Sequence, residues 1–281
     1  MAPVQEVWQT LKRSRSAMFG LVVIFVFVVC SIFAPWIAPE DPTKANLSLA
    51  LRPPSQDALF GRDELGRDIL SRVIHGARIS LTIGLIAVTI GALLGTPVGA
   101  VSGYYGGKVD LLIQRLIDIM MAFPGILLAI VIVSIMGVGL KNVMLAVGIV
   151  SVPTYVRLVR GSVLAIKEQD FVSAAKALGS GDLRIIFRHI LPNCLGPLIV
   201  QSTLQIATSI LWAAGLGFLG LGAQAPTPEW GTMLSRGRLY IWNAYHLTLF
   251  PGLAIFLSVL GFNLLGDGLR DALDPRLRGR L

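Results

Sequence analysis

The sequence predicts an all-α integral membrane protein, on three observations. Its 281 residues are 54% hydrophobic and only 14% charged, where soluble domains run near a quarter charged. The mean hydropathy is +0.73. About six apolar stretches are long enough to cross a bilayer, at ~20 residues per helix.

The first run is Met18–Ile37, too long and too poor in small residues at its end for a cleaved leader. The second, Ile79–Val101, opens a series Gly91, Gly95, Gly99 and Gly103 at intervals of four. That spacing lines one helix face with glycine and predicts a close helix–helix approach within the chain. Leu116–Met136 and Asn142–Val159 follow. Pro97, Pro124 and Pro153 fall in or beside spans and predict tolerated kinks. Asp118 lies three residues beyond Arg115, which predicts a local ion pair. The last two runs are Leu195–Phe218 and Leu247–Gly266.

The sequence divides into an N-terminal segment, residues 1–78, and a core, 79–281, with a connector near 161–194. With the N-terminus in the cytoplasm, 15 of the 24 Lys and Arg fall on cytoplasmic pieces, as the positive-inside bias requires. Both termini are then cytoplasmic. The net charge of +8 reads as lipid-facing flanks rather than a nucleic-acid surface. The outer piece around Arg62–Arg78 mixes Arg with Asp and Glu. It fits either a contact for an external protein or a self-neutralised plug.

The connector carries the most organised pattern. Phe171, Ala174, Ala175 and Leu178 repeat at helical spacing, then Gly179-Ser180-Gly181 interrupts. Asp182 is positioned as an N-cap, and Leu183, Ile186, Phe187 and Ile190 repeat the spacing before Pro192 ends the unit. Two short amphipathic helices at a bend make a cytoplasmic knuckle. By pattern alone it suits a protein groove and a lipid surface equally.

No catalytic or metal site is legible. The two cysteines, Cys30 and Cys194, and three histidines lack ligand spacing. Gly215–Gly220 matches GxGxxG without a strand before it. Ser173–Lys176 matches SxxK without its companion motifs. At Gly106-Gly107-Lys108 the glycine and hydroxyl positions of a phosphate loop are Ser102 and Val109. The spans are poor in charge, which disfavours an autonomous ion-coupled carrier or channel. In the fifth run Gln201, Gln205, Thr208 and Trp212 form one polar-aromatic stripe. It suits a wet lumen or plain interhelical hydrogen bonding.

Ser173-Ala174-Ala175, Gly179 and His189-Ile190-Leu191-Pro192 resemble the EAA loop of permease subunits of binding-protein-dependent ABC importers. Ser173 stands where that pattern has Glu, and His189 where it has Ile. Gly61–Leu81, Phe218–Leu234 and Phe262–Arg278 are similar to segments of C-type subunits of dipeptide and oligopeptide permeases. The resemblance implies half of an all-helical pore in a bacterial or archaeal plasma membrane. It implies a second related permease, two cytoplasmic ATPases holding ATP and Mg, and an external substrate-binding protein. Phe171, Ser173, Ala174, Ala175, Leu178, Gly179, Leu191 and Pro192 would make the ATPase contact, and this chain would hold no cofactor. Within the same family, nickel and glutathione are alternative cargoes to short peptides.

Overall fold

The computed structural model describes residues 4–273; Arg276, Arg278 and Arg280 of the orientation count, and the end of the Phe262–Arg278 motif, lie outside them. The chain is helical, in the order α1 (Val4–Arg13), α2 (Arg15–Ile37), α3 (Ile69–Tyr105), α4 (Gly107–Ala122), α5 (Gly125–Met136), α6 (Leu140–Ile166), α7 (Asp170–Ala177), α8 (Asp182–Ile185), α9 (Leu191–Phe218), α10 (Trp230–Gly237) and α11 (His246–Leu273).

Among the described residues, five helical segments are long and apolar enough to cross a membrane, and the bent pair α4–α5 makes a sixth passage. That passage is required by α3 and α6, which run parallel. Gly91 abuts Ser151 and Tyr155, while Gly103 abuts Arg160 and Val163. The chain must therefore return between them.

The run Leu116–Met136, expected as one span, is two helices meeting at 90°. Pro124 is the cause. It drives Phe123 into extended backbone, φ −94° and ψ 137°, because the proline ring clashes with a helical predecessor. Pro97 and Pro153 instead stay inside α3 and α6.

The glycine series does what its spacing predicts. A Cβ at Gly95 would lie 2.5 Å from Tyr155 Cβ, and one at Gly99 2.5 Å from the Val156 carbonyl. Backbone-to-backbone contact of α3 with α6 is the central packing of the molecule. A second close approach joins α2 to α11, where a Cβ at Gly20 would meet the Gly261 carbonyl at 2.6 Å. The face of α2 turned away from α11 exposes Phe19, Val22 and Phe25, as lipid contact demands.

The two ends differ in chemistry. One end carries α10 and a layer of ion pairs. Arg62 donates to both oxygens of Glu40 at 2.6 Å. Arg67 bridges Asp63 at 2.7 Å and Glu64 at 3.1 Å, and Arg236 reaches Glu64 at 3.3 Å. Asp68 caps α3 through Ser71. In the Arg62–Arg78 piece Arg62, Asp63, Glu64, Arg67 and Arg72 are thus paired, two of them with residues outside it, Glu40 and Arg236. The opposite end carries the knuckle and α1. Val7 and Leu11 of α1 cover Leu265, Leu269 and Ala272 of α11.

Candidate functional site: the knuckle and the α9 stripe

The knuckle departs from its expected form in three ways. First, each short helix splits its apolar residues between two faces. On α7, Val172 and Ala175 are buried with Val159 and Val163 of α6. Phe171, Ser173, Ala174 and Leu178 face outward, Leu178 being 87% exposed. Past the bend, Ile185, Ile186 and Ile190 are buried, while Leu183 and Phe187 are exposed. The expected face of Phe171, Ala174, Ala175 and Leu178 therefore loses Ala175 to the core.

Second, Asp182 is not the N-cap. Gly181 holds that position and Asp182 is the first helical residue. Its carboxylate instead accepts from the Tyr104 hydroxyl at 2.7 Å.

Third, Pro192 does not end the unit. The helix runs unbroken from Asp182 to Phe218. The turns at Ile186–Ile190 widen to a π-helix, and Leu191 N–H bonds to the Ile186 carbonyl. Proline has no N–H for the usual bond and its ring crowds the carbonyl four residues back. A π-turn absorbs that misfit without a break. Leu191 and Pro192 are half-buried at this junction.

The bend itself is a Schellman closure. Gly179 N–H bonds to the Lys176 carbonyl at 2.9 Å and Ser180 N–H to the Ala175 carbonyl at 3.0 Å. Gly179 has φ +80° and open space about it, so backbone conformation is what selects glycine there.

On α9, Gln201 and Thr208 are half-buried and Gln205 is 5% exposed. Thr208 donates back to the Leu204 carbonyl at 3.3 Å. Trp212 lies against Gly125, the first residue after the α4–α5 break; a Cβ there would come within 2.8 Å of the indole Cζ2. The four residues share one face, as their spacing predicts. Ser209, one turn beyond Gln205, is buried with its hydroxyl unpartnered.

Several braces were not visible in the sequence. Arg160 pairs with Asp110 across 50 residues, and Asp110 also accepts from Ser102 at 2.5 Å. Asp118 pairs with Arg157 at 2.7 Å and not with Arg115 as expected. Glu229 caps α10 through Gly231 and Thr232. Burial pushes its carboxyl up, against those hydrogen bonds. The ion pairs have no periodic signature, because their partners lie on different helices.

Among the described residues no cluster of three or more His, Cys, Asp or Glu is arranged to hold a metal ion. The Gly106-Gly107 pair is a tight turn between α3 and α4, with φ +66° and +54°. What the arrangement offers is mechanical: an outward-facing knuckle whose second arm continues into a long helix that bears a polar stripe.

Residues 95–279 match the family described as binding-protein-dependent transport system inner membrane component. Residues 2–54 match the N-terminal transmembrane domain of oligopeptide transport permease C. The chain belongs to this permease family. Among its relatives is the dipeptide transport system permease protein DppC of Alkalihalophilus pseudofirmus, 51% identical over 99% of this chain and 91% of that one. The glutathione transport system permease protein GsiD of Escherichia coli is 50% identical over 99% and 92%. In fold the chain is similar to a solved chain of the MetNI methionine ABC transporter, with a TM-score of 0.60 and 20% identity over 73% of this chain and 98% of that one. The protein is thus a multi-pass inner-membrane permease subunit of a bacterial ABC transport system, without a catalytic site or cofactor of its own. Such a component works with an ATPase and a binding protein.

Proposed function

We propose that this permease imports short peptides as one of two related membrane subunits, driven by two cytoplasmic ATPases that hold Mg and ATP. An external binding protein delivers the cargo. What supports the peptide reading is that relatives of about half identical sequence are named for dipeptides and for glutathione, itself a tripeptide. A stripe of neutral donors and acceptors on α9 suits peptide backbones, which need generic hydrogen bonds. Residues 1–78 form an added segment on a core from 79 to 281, surrounded by lipid, with both termini cytoplasmic.

The observation that carries the mechanism is the outward face of the knuckle. Phe171, Leu178, Leu183 and Phe187 are exposed at the knuckle end of the molecule, where an ATPase groove would cover them. Ser173 and Ala174 keep the outward face of α7 slim enough to enter such a groove, while Ala175 seats that helix on α6. Because α8 continues into α9, movement of the knuckle tilts the helix bearing Gln201, Gln205, Thr208 and Trp212.

Leu178→Asp tests this in the reconstituted complex. The chain should insert and pair with the second permease, yet lose its ATPases on purification and lose uptake. Wild-type ATPase retention and uptake would overturn the reading. The purified chain alone should hydrolyse no ATP.

A further inference from the structure

We propose that Tyr104 is a positioning residue for coupling: it sets the angle of the knuckle and carries the knuckle's movement into α3. This rests on the knuckle being the ATPase contact.

Tyr104 is the penultimate residue of α3 and touches both arms of the knuckle. Its hydroxyl donates to Asp182 Oδ1 at 2.7 Å, at the start of α8. The Lys176 ammonium, in the last turn of α7, sits 5.3 Å from its ring centroid. The ring packs against the cluster that includes Val172, Ala175, Ile185 and Ile186. One side chain thus spans the Leu178–Gly181 bend, whose glycines leave it free to change angle. Beside it, Lys167 of the α6 C-terminus donates to the Gly103 carbonyl at 3.1 Å.

The consequence is a second route for force. Through α8 the knuckle pushes α9 directly. Through Tyr104 it pulls α3, which lies backbone-to-backbone on α6. The chain already joins the knuckle to α6, which ends at Ile166 just before α7, and to α9; Tyr104 adds the tie to α3, so that α3 and α6 move with it as a pair. Asp182 suits the contact because a carboxylate at a helix start is held by the helix dipole.

The test uses the complete reconstituted complex, reading ATPase retention, hydrolysis rate and peptide taken up per ATP. Tyr104→Phe keeps the ring and removes the hydroxyl. Uptake per ATP should fall about three- to fivefold, the effect of one hydrogen bond to a charged group at an exposed site, with the ATPases retained. Asp182→Ala should match it, and the double variant should be no worse than either. Asp182→Asn, which keeps an acceptor oxygen, should restore most of the loss. Leu178→Asp is the parallel arm. If it strips the ATPases while Tyr104→Phe transports with wild-type stoichiometry, the Tyr104 proposal alone is overturned. If Leu178→Asp also leaves assembly intact, the knuckle reading fails with it. Loss of ATPase subunits from Tyr104→Phe would make Tyr104 part of the docking face and likewise overturn the proposal.

Discussion

Asp110 on α4 and Arg160 on α6 form a two-pronged ion pair, with Nε and Nη2 each 2.6 Å from a separate carboxylate oxygen. Ser102 of α3 donates to the same carboxylate, so three helices are tied at the knuckle end. Asp110→Ala should cost ~1–2 kcal/mol, a charge-assisted pair discounted for partial exposure. Thermal unfolding in lipid nanodiscs should show a lowered midpoint. The swap of Asp110→Arg with Arg160→Asp should recover part of it; a swap as unstable as the single variant would mean the pair does not brace the helices.

The α3–α6 contact makes a sharper claim. Gly99 has no room for a side chain against the Val156 carbonyl, so Gly99→Leu must push the helices apart. Overpacking of this kind costs ~1–3 kcal/mol or more where backbone faces backbone. Gly161 has open space around it, and Gly161→Ala is the control. Membrane yield by fluorescent size-exclusion chromatography should collapse for the first and hold for the second.

If α9 lines the path, Gln205 must meet water in some state, although it is 5% exposed in this one. With Cys30 and Cys194 replaced, Gln205→Cys should react with a small aqueous thiol reagent in at least one nucleotide condition and be shielded in another. Uniform protection would favour interhelical packing as the stripe's whole purpose.

The ion pairs around Arg62 predict an acid limit. The Arg62 hydrogen bond holds the Glu40 carboxyl below its ordinary value. A depressed carboxyl pKa contributes stability that is fully present above the unfolded value and is lost as pH falls through the folded one. Wild-type protein should therefore out-melt Glu40→Gln at neutral pH, with the gap closing below about pH 4. A constant gap would show that Glu40 acts by packing alone.

The sequence by itself determined the helical membrane class, the spans other than the broken Leu116–Met136, the glycine face of α3, the knuckle with its turn at Gly179, and the shared face of Gln201, Gln205, Thr208 and Trp212. All follow from local periodicity or from one residue's backbone preference, which a single chain displays. Tertiary structure decided the rest. Only packing could choose that Val172 and Ala175 turn inward and Leu178 outward, since the neighbouring helix supplies the buried side. Pro124 and Pro192 look alike in sequence, yet one breaks a span at 90° and the other is absorbed by a π-turn. Likewise Asp118 chose Arg157 over the nearer Arg115, and Tyr104 found Asp182 across 78 residues. Such partners are fixed by where helix ends converge, and no spacing along the chain encodes that.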